Sequence, residues 1–96
     1  MIWGIGQALL EQSEIDERFG KYVSKNLGEY HVPVNADVPS LEAFFVDEED
    51  RQASTVGAKG IGEVGAVGVG PAIANAIYHA TGKRIRDLPI TLDKLL

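Results

Sequence analysis

The chain has 96 residues, of which 45% are hydrophobic and 24% charged, the composition of a globular protein with one modest core. Its formal net charge of −5 leaves no broad basic surface, which argues against nucleic-acid binding. The absence of cysteine excludes disulfides and thiolate chemistry and fits a reducing, cytoplasmic location. No apolar run approaches the roughly 20 residues of a membrane-spanning helix, so no membrane partner is predicted.

The first predicted element is a short amphipathic helix. Apolar and polar positions follow a helical period through Ile5, Ala8, Leu9 and Glu11–Gln12. Gly4 and Gly6 stand at its start, where either close packing or a fraying helix end would account for them. Residues 1–3 are apolar with no polar lead-in, so we expect the chain to start inside a larger architecture.

The middle of the chain offers two β-strand candidates. Residues 13–28 are mostly polar and predict a connection with at most a helical turn or a short strand. Residues 29–37 alternate modestly, but Pro33 cannot donate to a ladder and favours an edge or extended segment. Residues 41–50 carry apolar side chains at both odd and even positions, which indicates a strand that is covered on two faces or that crosses a layer. The acidic run 47–50 then predicts a solvated loop.

The clearest predicted helix begins at Pro71, a residue suited to a first helical turn. Ile73, Ala74 and Ile77 form its apolar stripe, and Gly82 ends it. An extended stretch and a short last turn follow. The expected fold is a small two-layer α+β unit with two or three helices and a few short strands, forming a single segment over residues 1–96.

Several kinds of catalytic site are not supported. His31 and His79 are the only histidines and lack the spacing of a metal site, so no metal ligand is predicted. Ser54 and Thr55 lack the G-x-S-x-G pattern of a nucleophile elbow, and we expect them to bond backbone in a turn.

Residues 57–70, GAKGIGEVGAVGVG, hold six of the eleven glycines. Gly60, Gly62 and Gly65 form a formal G-x-G-x-x-G match. A dinucleotide site is not favoured, because no buried strand precedes the match and the helix is expected to begin only at Pro71. Glu63 would also place a negative charge inside a phosphate cradle.

Two interpretations of Glu63 are open at this point. The flanking glycines would let a bulky ligand reach the backbone, and a carboxylate in a mostly apolar pocket can act as a general base. Alternatively, Glu63 lies on an exposed turn and is simply solvated. Spacing alone favours the solvated side chain.

Four stretches together resemble a known family. They are GIGQALLEQ at residues 4–12, YHVPVNADVPSLE at 30–42, GAKGIGE at 57–63 and PAIANAIYHATGKRIRDLPIT at 71–91. In this order they resemble the C-terminal part of the molybdenum-binding subunit of the xanthine dehydrogenase and aldehyde oxidase family, the molybdenum hydroxylases. The similarity covers nearly the whole chain.

The resemblance implies an oxidoreductase acting on aldehydes or N-heterocycles such as xanthine, with a molybdopterin (Mo-pyranopterin) cofactor. It assigns Glu63 as the catalytic general base beside the molybdenum centre. Gly60, Gly62 and Lys59, with neighbouring backbone, would lie against the cofactor. The implied partners are the remainder of the molybdenum-binding subunit and subunits carrying iron–sulfur clusters and FAD.

The family's subunit runs to several hundred residues, so we expect this chain to be an incomplete segment of a molybdopterin-binding domain. Alone, it is expected to hold no molybdopterin and to be inactive. The alternative is a non-catalytic, stand-alone binding or assembly module derived from that domain, which would cover bare apolar surface by self-association.

Overall fold

The computed structural model describes residues 1–38 and 40–96. An N-terminal helix, a short hairpin, an irregular middle and a C-terminal helix follow one another along the chain. Helix α1 spans Ile2–Leu9, strands β1 and β2 span Ile15–Asp16 and Lys21–Tyr22, helices α2 and α3 span Val64–Val67 and Val69–Thr81, and two 3-10 helices span Asn35–Asp37 and Leu92–Leu95. The small α+β unit predicted from the sequence is confirmed.

Helix α1 contains its two glycines in its interior, and both are buried. A β carbon on Gly4 would lie 2.6 Å from the Cβ of Val69 in α3, and one on Gly6 would lie 2.7 Å from the Cδ of Pro33. Close packing is therefore the correct interpretation of both glycines. The helix begins earlier than predicted, at Ile2. It also ends earlier, at Leu9, where the Leu10 and Glu11 N–H groups both donate to the Gly6 carbonyl, at 2.8 Å.

Helix α3 packs against α1 and starts two residues before Pro71. It ends as predicted at Gly82, which has a left-handed φ of 74° and donates its N–H to the Tyr78 carbonyl at 2.7 Å. The Arg84 guanidinium folds back over the Tyr78 ring at 3.9 Å from its centroid. It also donates to Asn75 Oδ1 at 2.7 Å. Among the described residues, no helix has the length and apolar character needed to cross a bilayer.

The tail returns to α1 after α3. The Ile90 N–H donates to the Ala8 carbonyl at 2.7 Å, which satisfies a carbonyl of the last helical turn. Ala8 is 0% exposed and Ile90 is 4% exposed, and with Pro89 they form the small core. Lys94 Nζ donates to the Pro89 carbonyl at 2.7 Å and so holds the tail in place.

The two strands lie in the connection over residues 13–28, where at most a short strand was predicted. The strands predicted at residues 29–37 and 41–50 do not form, although Val34 has the extended backbone that was the alternative for the first of them. β1 and β2 pair antiparallel, with Ile15 opposite Tyr22. Residues 29–37 instead carry a 3-10 helix, and the Tyr30 hydroxyl donates to Glu11 Oε2 at 2.8 Å. The described residues of 38–50 are irregular, and no described strand pairs with them. Phe44 is 86% exposed, so the two covered faces expected there are also absent.

The chain is more extended than a compact domain of its size. Its Cα radius of gyration is 17.9 Å, against about 13 Å for a compact domain of about 100 residues. Large apolar side chains such as Leu27, Phe45 and Val56 are exposed. The chain itself therefore covers little of its own apolar surface.

Candidate functional site

The glycine-rich stretch passes through three kinds of structure. It begins as an irregular loop, continues as α2, and ends in the first turn of α3. The prediction that a helix begins only at Pro71 is wrong, because the Glu63 carbonyl accepts bonds from the Ala66 and Val67 N–H groups, at 2.8 and 3.1 Å, and starts α2. Residues 51–60 contain turns and no strand, so the strand that a dinucleotide site requires is absent there.

The glycines around Glu63 face open space. A β carbon built on Gly60, Gly65 or Gly70 would meet no atom of the described chain within 4 Å. Gly62 has a φ of 52°, a left-handed conformation that L side chains rarely adopt, so its turn requires glycine. The fold explains Gly62 by its turn, whereas no contact within the described chain explains the absence of a side chain at Gly60.

Glu63 is the N-cap residue of α2. Its side chain is exposed and makes no capping hydrogen bond. It lines a cleft of about 220 Å³ together with Trp3 and Gln7 of α1 and Leu88 of the tail. The solvated alternative therefore describes the side chain in this structure. The cleft nevertheless places Glu63 beside apolar and aromatic surface.

The Lys59 side chain forms an ion pair with Asp50. Its Nζ lies 3.2 Å from Asp50 Oδ2. The hydrogen bond from Lys59 is the main cause that lowers the pKa of Asp50, and the backbone N–H groups of Gln52 and Ala53 add to it. The predicted site residues Gly60, Gly62 and Glu63 thus lie together on one exposed segment, while the Lys59 side chain contacts a different loop residue.

Sequence reasoning missed the residues that share the site with Glu63. Trp3, Gln7 and Leu88 line its cleft and carry no predicted role. Asp50 lies outside that cleft, in the acidic run predicted to be a solvated loop, and its pairing with Lys59 is also not predicted. The available signal for Asp50 was a lysine of opposite charge across a loop that contains a glycine turn. No sequence signal places α1 and the tail beside Glu63, because these contacts join distant parts of the chain.

A larger cavity of about 690 Å³ lies along the acidic loop and does not include Glu63. Its lining is mostly charged, with Asp47, Glu48, Glu49 and Arg51. We place the candidate site at the smaller cleft, because it contains Glu63 beside Trp3 and Leu88, whereas charged side chains make up most of the lining of the larger cavity. In the described part of the chain, no group of three or more His, Asp or Glu side chains is arranged to hold a metal ion.

Curated relatives align with nearly the whole chain. It is 52% identical, over all of its 96 residues, to the aldehyde oxidoreductase molybdenum-binding subunit PaoC of Escherichia coli (strain K12). It is 41% identical over 96% of its length to the putative xanthine dehydrogenase molybdenum-binding subunit XdhA of the same strain. A third relative, the probable hypoxanthine oxidase XdhD of that strain, is 34% identical over 96% of the chain.

The chain is homologous to part of the molybdenum-binding subunits PaoC and XdhA. This confirms the resemblance that the four motifs predicted. The homologous region is a small share of each relative, since the chain spans 13% of the length of the first, 12% of the second and 10% of the third. No protein-family model matches the chain.

Proposed function

We propose that this chain is the C-terminal segment of the molybdopterin-binding domain of a molybdenum-dependent oxidoreductase, and that Glu63 is its catalytic general base. The observation that carries the proposal is the combination of an accessible Glu63 carboxylate with glycine backbone that is open to a bulky ligand. The 52% identity to a named molybdenum-binding subunit supports it.

The residues present fit a bound pterin cofactor. Gly60, Gly62 and the backbone of Lys59 would lie against it, because a β carbon at Gly60 would fill the space that the open backbone leaves free. When bound, the cofactor supplies the redox chemistry that oxidises an aldehyde or an N-heterocycle such as xanthine. Glu63 takes up, on a carboxylate oxygen, the proton that the substrate oxidation releases.

The remainder of the molybdenum-binding subunit is the proposed main partner. Phe44, Phe45 and Val46 are all exposed on an irregular segment, and Trp3 is exposed beside the Glu63 cleft. Apolar surface of this kind marks a contact with other protein. Subunits carrying iron–sulfur clusters and FAD, and the cytoplasmic location predicted from the sequence, belong to the same proposal.

The isolated chain is proposed to be inactive. The cleft at Glu63, about 220 Å³, is smaller than the roughly 300–1,000 Å³ of typical ligand pockets. The purified chain should therefore contain no molybdenum and oxidise neither an aldehyde nor a purine. Stoichiometric molybdenum or turnover in the chain alone would contradict this part of the proposal.

The test of Glu63 uses the full-length protein loaded with cofactor. Replacing a general base typically costs about 10²- to 10⁴-fold in rate, so E63Q should lose kcat by such a factor while molybdenum content stays normal. E48Q removes another exposed carboxylate of the chain and should leave kcat unchanged. Near-normal turnover of E63Q would remove Glu63 from the assigned role.

The exposed apolar side chains also favour the second candidate, a non-catalytic assembly module. Such a module would cover Phe44 and Phe45 by self-association. Sedimentation of the purified chain separates the two candidates. A tight oligomer supports the assembly module, whereas a monomer that gains order only with the rest of the subunit supports the enzyme segment.

A further inference from the structure

The loop that precedes Glu63 is closed by a single carboxylate. Asp50 Oδ2 pairs with Lys59 Nζ at 3.2 Å. Asp50 Oδ1 accepts hydrogen bonds from the N–H groups of Gln52 and Ala53, at 3.0 and 3.2 Å. Asp50 thus joins the start of the loop to its end. We call residues 50–59 the clasp loop.

The clasp loop has an internal turn of its own. Ser54 Oγ donates to the Ala58 carbonyl at 2.9 Å, and the Gly57 N–H donates to the Ser54 carbonyl at 3.1 Å. These bonds are local, so the conformation of the loop does not depend on packing against the helices. The Asp50–Lys59 pair is the contact that fixes where its last residue lies relative to its first.

The short segment 60–63, which ends in Glu63, is therefore held from both sides. On its C-terminal side, α2 and α3 pack against α1, with Val69 in contact with Gly4. On its N-terminal side, the only anchor among the contacts described is Lys59. Because glycine loses much backbone entropy when it is ordered, a segment with two glycines depends on such anchors.

We propose that the Lys59 side chain is a positioning group, which closes the clasp loop through Asp50 and thereby holds segment 60–63 where Glu63 can act. This inference rests on the proposed function of Glu63. The backbone and the side chain of Lys59 then have different roles. The backbone would lie beside the cofactor, while the ammonium group binds Asp50.

The exposure of the Asp50–Lys59 pair sets how strongly it can hold segment 60–63. The Lys59 side chain is 59% exposed and that of Asp50 is 35% exposed. Pairs that are this accessible to water shift a conformational equilibrium only modestly, by about two- to fivefold. The pair therefore adjusts how often segment 60–63 is correctly placed, and its loss leaves a weakened site rather than an inactive one.

The test uses the full-length, cofactor-loaded protein. K59Q removes the cation, and D50N removes the charge while keeping an oxygen that can accept the Gln52 and Ala53 bonds. In either variant, amide hydrogen exchange of residues 60–63 should rise about two- to fivefold. We expect kcat to fall by a similar factor, with KM and molybdenum content unchanged. K59R should restore both readouts.

A matched control lies inside the same loop. Arg51 Nε pairs with Glu49 at 2.5 Å, but this pair spans only two residues and does not close the loop. R51Q should therefore leave exchange and kcat unchanged. Added salt should raise the exchange of the wild-type protein toward that of K59Q and have little effect on K59Q itself, because exposed pairs are screened.

The outcomes are distinguishable. If the two groups act through one another, the double variant D50N/K59Q loses no more than either single variant. Unchanged exchange in both single variants, or additive losses in the double variant, would overturn the positioning role. Full turnover of E63Q would instead refute the proposed function of Glu63, and the exchange measurement would still decide the role of Lys59.

Discussion

Two regions of this molecule use glycine in opposite ways. In the packed corner, formed by α1, α3 and Ile90, Gly4 makes room for Val69 of the neighbouring helix. In the open segment, residues 57–63, Gly60 faces no atom of the described chain. The same residue type therefore serves the fold in one region and leaves backbone bare in the other. Glycines that internal packing does not require point to a contact made by something else.

The sharpest test of the packed corner is G4A. The added β carbon would sit 2.6 Å from the Val69 Cβ, so the helices must move apart. Overpacking of this kind costs about 1–3 kcal/mol in the free energy of unfolding, which urea denaturation of the full-length protein measures. V69A should not restore the loss, because alanine keeps the Cβ that the added β carbon meets. A neutral G4A would show that the two helices do not pack as described.

The counterpart in the open segment is G60A. Its β carbon has free space and its backbone φ is not left-handed, so the free energy of unfolding should change by less than about 0.5 kcal/mol. Molybdopterin content of the full-length protein should fall, because the new methyl group would fill the space that we propose for the cofactor. Normal cofactor content in G60A would indicate that the bare backbone at this position has no ligand.

The smallest expected effects concern pH, and the contacts of Tyr30 and Asp50 should respond at opposite ends of the pH scale. The hydrogen bond to Glu11 raises the pKa of Tyr30 and joins residues 29–37 to the segment that follows α1. Its contribution to stability is complete below the ordinary tyrosine pKa, about 10, and is lost as pH rises through the raised value.

The hydrogen bond from Lys59 lowers the pKa of Asp50, and its contribution is present above the ordinary aspartate pKa, about 3.9. That contribution is lost as pH falls through the lowered value. NMR titration measures both groups. K59Q should return the pKa of Asp50 toward its ordinary value and leave the pKa of Tyr30 unchanged. A shift in the pKa of Tyr30 in K59Q would show that the two contacts are coupled.

Local signals made part of this fold predictable. Helix α3 and its end at Gly82 follow from the apolar stripe and a C-terminal glycine, both of which act within a few residues. The assignment of Glu63 depended on the combined motifs, because spacing alone favoured a solvated side chain. The relatives confirm the family resemblance, and the role of Glu63 stays a prediction.

Other parts depended on contacts that sequence patterns do not carry. The β1–β2 pair has two residues a strand, too short for an alternation pattern to identify. Phe44 and its neighbours looked like a covered strand, but no described strand pairs with them. Helix α2 forms despite Gly65 because the Glu63 carbonyl binds two following N–H groups. The Asp50–Lys59 ion pair could not be predicted from secondary-structure propensities, because these are assigned to each residue separately.

The bond between Ile90 and Ala8 has a consequence for how this segment acquires its structure. The two core side chains come from distant parts of the sequence, so their contact cannot form between residues that are neighbours along the chain. During synthesis, α1 leaves the ribosome long before Ile90 does. Until then, the carbonyl of Ala8 can form hydrogen bonds only with water at this position. Residues translated late are therefore the ones that complete a helix translated early.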